Sequence, residues 1–289
     1  MFLQFLINGI VNGSIYAIVA LGFAIIYNTT RIFHIAYSIL FMIAPYMLFT
    51  FFNQIGLHIG FAVIIALIFT IFVCLGIEVL VYRPLGNKGA SHNVILISSV
   101  GIMIVVINII ALLYGNETKI INTEIAESIE ISNLIITYPQ LIQFTVSIIL
   151  ILLFLLFLKF SKFGIKTRAL RDDEYLCKIF SIDINKFRVK LFILSAFFAA
   201  TGGILIAWDV GFDPYIGMPM LLNAVVALII GGIGKFHAPI IGGFLIGILQ
   251  SLVVWQFSAN WQEAVTFGLL IIFLLFRSQG LFGEKRRLV

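Results

Sequence analysis

Residues 159–190 read KFSKFGIKTRALRDDEYLCKIFSIDINKFRVK. Nine cations fall in this stretch (Lys159, Lys162, Lys166, Arg168, Arg171, Lys178, Lys186, Arg188 and Lys190), and the acidic run Asp172-Asp173-Glu174 sits among them. Long apolar runs flank it on both sides. So many charges do not cross a bilayer, whereas a run of about 20 apolar residues does. The stretch is therefore read as a loop between membrane spans, on the side where Lys and Arg accumulate. It is also amphipathic, which is more than a tether needs.

Composition agrees. The 289 residues are 62% hydrophobic and 11% charged, with a mean hydropathy of +1.15. A soluble domain of this size needs more polar surface. The apolar runs are continuous rather than alternating, which excludes a transmembrane barrel. The formal charge of +5 is gathered beside the spans, so it sets orientation and does not indicate a nucleic-acid partner. Cys74 and Cys177 fall in a span and in the basic loop, a pairing that suits neither a disulfide nor a metal set. There is no Lys or Arg before Arg31. The first run accordingly reads as a retained span rather than a cleaved signal.

Outward from the basic stretch, apolar runs cover about 140–158, 94–114, 59–82, 35–52 and 3–27 on one side, and about 189–208, 220–234, 239–257 and 262–276 on the other. Pro84 is expected to stop the third run. Cations near Arg31, Arg83, 159–190, Lys235 and the C-terminus share one face by parity. The acid-rich segment 115–139, with Glu117, Glu124, Glu127 and Glu130, and the segment 209–219 fall on the other. The expectation is an all-α polytopic integral membrane protein forming a single transmembrane domain over 1–289. It should have about eight or nine transmembrane helices. The short run 220–234 is either a full span or a re-entrant hairpin with part of 238–257.

No HExxH, GxSxG, Cys/His cluster or GxxxxGK[ST] phosphate loop occurs, so neither catalysis nor ATP hydrolysis is expected of this chain, and no cofactor is called for. Glu78 is the deepest acid, and an ion pair with Arg83 is the reading preferred over a substrate role. Asp209, Asp213 and Glu263 read as solvated loop residues, and His34, His58, His92 and His237 as interface residues. Gly9 and Gly13 have the small-xxx-small spacing of close helix packing, with Asn8, Asn12 and Ser14 nearby. Gly202, Gly203, Gly231, Gly232, Gly234, Gly242, Gly243 and Gly247 crowd the C-terminal third. With Asn12 they are candidates for the translocation path or, equally, for helix packing. In the basic stretch Gly164 is expected to end the fifth span. Residues 168–180 are expected to form a short amphipathic helix with Leu176 and Phe180 one turn apart and Tyr175 and Ile179 beside them. Asp183 is expected to cap the next span. Composition alone leaves this helix either on anionic lipid or in a partner's groove.

Arg168-Ala-Leu-Arg-Asp-Asp, Phe180-Ser-Ile-Asp and Lys186-Phe-Arg-Val-Lys resemble the cytoplasmic loop of LivH-type permeases of the branched-chain amino acid ABC transporter family. So do GSIYAIVALGFAIIY (13–27), IEVLVYRPLG (77–86), LSAFFAATGGILIA (194–207), GGIGKFHAPIIGGFLIG (231–247) and RSQGLFG (277–283). They cover nearly the whole chain in the family's order. The chain departs from the family pattern at Ser181, where a Gly is usual, at Cys177, where an Ala is usual, and at the opening of the second span, FHIAYS (33–38).

The resemblance implies half of a two-permease core, working with a second homologous permease, two cytoplasmic ATP-binding subunits and a periplasmic or external solute-binding protein. It implies import across the cell (inner) membrane of branched-chain or other small amino acids. Relatives carrying urea, amides or another small solute are the alternative, and an ion-coupled secondary transporter is a more distant one. The match also shifts 168–180 toward ATPase docking, with Arg168, Arg171, Asp172, Asp173, Glu174, Leu176 and Phe180 at the contact.

Overall fold

A computed structural model describes residues 1–121, 128–131, 134–277 and 279–283. Helix α1 covers Phe2–Thr30. Helix α2, Tyr37–Phe49, runs on through a wider π turn at Thr50–Gln54. Helix α3, Ile59–Ile77, passes through a second π turn, Glu78–Tyr82, into α4, Arg83–Asn87. Helix α5 is His92–Tyr114. Strands β1 (Ser128–Ile131) and β2 (Leu134–Thr137) make an antiparallel hairpin with Ser128 opposite Thr137. Then come α6 (Tyr138–Phe160), α7 (Lys162–Asp172), α8 (Glu174–Ile179), α9 (Ile184–Asp209), α10 (Gly217–Gly231), α11 (Ala238–Gln256) and, after a 3-10 turn at Ala259–Trp261, α12 (Gln262–Phe276).

Among the described residues, seven helical stretches are long and apolar enough to cross a membrane: α1, α3 through α4, α5, α6, α9, α11, and α12 with its leading turn. The chain is thus an all-α polytopic membrane protein. The second and seventh apolar runs behave differently from the rest. Helix α2 has 13 residues and 11 of them are buried, so no side of it is left for lipid. At 15 residues, α10 is about 22 Å long, short of the roughly 30 Å hydrocarbon thickness.

The core forms where α1 meets α9, α10 and α11, and where α2 meets α3, α9 and α10. Gly9 and Gly13 of α1 lie against Gly243 and Gly247 of α11. A Cβ on Gly9 would come within 2.8 Å of the Ile248 Cα, and one on Gly13 within 2.9 Å of the Phe244 Cα. Two small-xxx-small ridges therefore bring the backbones together, which in lipid gains dispersion contact that larger side chains would prevent. Pro45 in α2 leaves the Phe41 carbonyl without its helical donor. Gly203 of α9 packs on that carbonyl, where a Cβ would overlap it.

Several expectations change. Pro84 does not stop the third helix. It lies in the first turn of α4, where its missing N–H costs nothing, and the π turn before it absorbs the misfit. Gly164 does not end the fifth span. Helix α6 ends at Phe160, with Ser161 capping α7, and Gly164 sits in the first turn of α7 against the Leu158 carbonyl. The segment 168–180 is not one helix: it breaks at Asp173 (φ −155°, ψ 111°) into the end of α7 and α8. Asp183 does cap α9, its carboxylate accepting from the Lys186 N–H at 3.1 Å. The β hairpin has no counterpart in the sequence reading. It is tied to α1 by Gln4, which donates to the Ile135 carbonyl at 2.7 Å and accepts from its N–H at 2.9 Å. Glu124, Glu127 and the basic residues Lys285, Arg286 and Arg287 lie outside the described residues.

Candidate functional site: the charged arm and its joint

Helices α7 and α8 form an arm between the spans α6 and α9. Each is capped by its own sequence: Ser161 accepts from the Gly164 N–H at 3.0 Å, and Asp173 accepts from the Tyr175 and Leu176 N–H groups at 2.7 and 3.0 Å. An N-cap carboxylate satisfies otherwise orphaned donors, so the break at Asp173 starts a new helix. Glu174 and Lys178 pair across one turn at 3.0 Å. Cys177 is the side chain of α8 that packs inward. Burial first, then the carboxylates of Asp173, Glu174 and Asp172, push its thiol above the ordinary range. The backbone N–H of Lys186 holds the Asp183 carboxyl below its usual range, so that cap is charged at neutral pH.

The apolar residues of α8 point away from the chain. Leu176 is 49% exposed, Ile179 61%, Tyr175 72% and Phe180 76%, in a segment that also carries Asp173, Glu174 and Lys178. The two residues expected as anchors are therefore on the surface. The charged residues named with them do other work as well. Arg168 donates to the Leu158 carbonyl at 2.7 Å and so closes the end of α6. Arg171 pairs with Asp172 at 2.6 Å and donates to the Gly234 carbonyl at 2.7 Å.

That last bond leads to a joint. Gly234 lies in the turn from α10 to α11, and its N–H donates to the buried Asn28 side chain of α1 at 3.0 Å. The C-terminal segment docks on the end of the same helix: Leu281 N–H donates to Ile230 and Phe282 N–H to Gly231, at 2.8 and 2.9 Å. These are carbonyls that a helix C-terminus leaves without intrahelical donors. Gly232 (φ 124°) takes a left-handed backbone, and a Cβ there would reach the Gly283 nitrogen at 2.6 Å. The arm, α1 and the C-terminal segment thus all hold the turn that ends α10.

The other end of α10 is reached through an irregular stretch. Phe212 and Lys119 exchange backbone hydrogen bonds at 2.8 and 2.9 Å, joining the two loops assigned to the face opposite the basic stretch. The middle of α10 is fixed by a polar cluster among apolar neighbours. Gln250 of α11 accepts from Tyr16 at 2.8 Å and donates to Asn223 at 3.1 Å and to Thr266 at 2.6 Å. This joins α1, α10, α11 and α12. Asparagine and glutamine buried in apolar helices stand out in sequence, and that was the available signal for Asn223 and Gln250.

Other candidates take plainer places. Glu78 is 2% exposed on its side chain and pairs with Arg188 of α9, not with Arg83: Arg188 Nη2 and Nε lie 3.0 Å from Oε2 and Oε1. The π turn and the depth of Glu78 turn the carboxylate toward α9, a partner 110 residues away in sequence. His34 is fully buried rather than interfacial. Its Nδ1 meets the Tyr82 hydroxyl at 2.7 Å, and the Tyr82 hydroxyl donates a hydrogen bond to Ser99 Oγ at 2.7 Å. His58, His92 and His237 are on the surface. Asn12 is exposed on α1. Gly202 lies against Val19 and Phe41, and Gly231 against the Ala238 carbonyl. With Gly203, Gly243 and Gly247 they all occupy helix crossings. An apolar crevice of about 350 Å³ opens between α3, α6 and α9, but its lining is essentially hydrocarbon and offers a zwitterionic solute nothing. Among the described residues no three His, Cys, Asp or Glu side chains cluster as a metal site.

A family model described as the permease component of the branched-chain amino acid transport system matches residues 5–274. The chain is 29% identical to the high-affinity branched-chain amino acid transport system permease protein BraD of Pseudomonas aeruginosa, over 98% of this chain and 96% of the relative. It is 27% identical to LivH of Escherichia coli, over the same shares. Among solved structures it resembles PsaBC from Streptococcus pneumoniae in complex with Fab, with a TM-score of 0.54 and 17% identity over 96% of this chain and 92% of that one, a likeness of fold.

Proposed function

Because the chain belongs to the family of branched-chain amino acid transport system permease components, a family of transport subunits rather than of enzymes, we propose that it is the membrane permease of an ABC importer. It contributes half of the path for branched-chain or other small amino acids, beside a second homologous permease. Two separate ATP-binding subunits drive it from the cytoplasm, and an external solute-binding protein delivers the solute. The arm α7–α8 and the C-terminus face the cytoplasm of the cell (inner) membrane.

The observation that carries this reading is α8 itself. Four apolar side chains stand exposed on this six-residue helix and its C-cap, with charges around them, the pattern of a short element that seats in a partner's groove. The Arg171–Gly234 bond gives docking a consequence: a shift of the arm pulls on the turn that ends α10. ATP-driven closure of the ATPases therefore moves α10 relative to the α1–α11 core and alternates access to the path.

The test is the double substitution Leu176→Asp and Phe180→Asp. Both side chains are exposed, so the permease should still fold and insert. Co-purification of the ATPase subunits should fall and ATP-dependent uptake should be lost. Uptake at the unsubstituted rate by that variant would rule the arm out as the docking element.

A further inference from the structure

The end of α6, the face of α7 and the turn between α10 and α11 line an open cavity of about 270 Å³. Its polar side is cationic: Lys159, Arg168, Arg171 and Lys235 line it, and among the described residues no carboxylate does. Asp172 is already engaged by Arg171, and among the described residues neither Lys159 nor Arg168 forms an ion pair. Its other side is apolar, with Leu158 and Phe236 both buried. Leu155, half-buried and one turn deeper in α6 than Lys159, continues that apolar side along the span.

We propose that this cavity binds the phosphate of an anionic phospholipid, with the headgroup among Lys159, Arg168 and Arg171 and the acyl chain along the apolar end of α6. Phosphate is the shared chemistry, and a free phosphate ion is its other source. The lipid is favoured because the cations share one pocket with Leu155 and Leu158 of the membrane span α6, so that charge and hydrocarbon line the same opening. Basic pockets between helices at a membrane surface hold anionic headgroups in this way. A lipid seated there touches α6, α7 and the α10–α11 turn together, and so braces the arm against its joint. The assignment is independent of the transported solute.

The test is native mass spectrometry of the purified full-length chain, titrated with phosphatidylglycerol, with phosphatidylcholine and, in a parallel arm, with inorganic phosphate competing against the lipid. The unsubstituted protein should prefer phosphatidylglycerol. Lys159→Gln should cut that preference about fivefold, and Lys159→Gln with Arg168→Gln should cut it further. Lys159→Arg with Arg168→Lys keeps the charge and should keep the preference, which separates lost charge from lost fold. Equal binding of the two lipids, or a preference that survives both Gln substitutions, overturns the site. Displacement of phosphatidylglycerol by equimolar inorganic phosphate overturns the lipid assignment in favour of a free anion.

Discussion

At the scale of the residue, the Glu78–Arg188 pair shows how a membrane protein places charge at the edge of its apolar core. The Glu78 side chain is 2% exposed and that of Arg188 20% exposed. Removing one partner leaves a desolvated charge behind, which typically costs about 3–5 kcal/mol, whereas replacing both by apolar groups of similar size can be nearly neutral. Arg188→Met should therefore lower the unfolding midpoint of the purified protein strongly, and Glu78→Leu with Arg188→Met should recover most of it. A single variant as stable as the parent would contradict the pairing. The sequence showed Glu78 as a deep acid but not its partner. Arg83 is near in sequence, and no local rule chooses the distant Arg188 over it. Ser181 gives the opposite case. The resemblance implies a glycine at that position, and the structure gives the residue a φ of 57°, a left-handed backbone that glycine adopts at less cost. In sequence, His34 stands at the end of an apolar run and reads as an interface residue. Only the fold shows that Tyr82 and Ser99 close over it.

Helices were the easiest features to read, and their ends the hardest. Runs of apolar residues located every long helix to within a few residues, because length and hydropathy are properties of the sequence alone. Breaks inside helices were less legible. Asp173 splits the arm because its carboxylate caps α8, and Pro84 fails to end α3 because a π turn comes first. Both outcomes depend on backbone geometry that spacing does not specify. The glycine spacing of α1 and α11 was visible separately in each helix. That the two motifs face each other is a fact of the fold. Gly247 lies against the backbone of Gly13 and the Gly9 carbonyl, so a large side chain there has nowhere to go. Gly247→Leu should destabilise the protein by about 3 kcal/mol or more, at or beyond the upper end usual for overpacking. Leu112→Ala on α5, where the side chain is 86% exposed, should do little. Thermal unfolding in detergent reads the difference, and equal midpoints for the two variants would contradict the crossing.

For the whole molecule, the fold class and the family were legible because both rest on features spread along the entire chain. The roles of α2 and α10 were not. Each reads as an apolar run like the others, yet α2 is enclosed by protein and α10 is short and held at its end by α1, the arm and the C-terminal segment. Enclosure is a property of packing, and hydropathy does not separate a helix surrounded by helices from one surrounded by lipid. The resulting picture is a closely packed α1–α11 core with a shorter helix, α10, whose end is bonded to the arm α7–α8. Such an arrangement suits a permease moved by its partners through that arm. The direct test is uptake of radiolabelled leucine into liposomes holding this chain with its partner permease and ATPases, with the solute-binding protein added on the side opposite the ATPases. Accumulation should require ATP and persist when ion gradients are collapsed. Accumulation without ATP that stops when an ion gradient is dissipated would contradict the account.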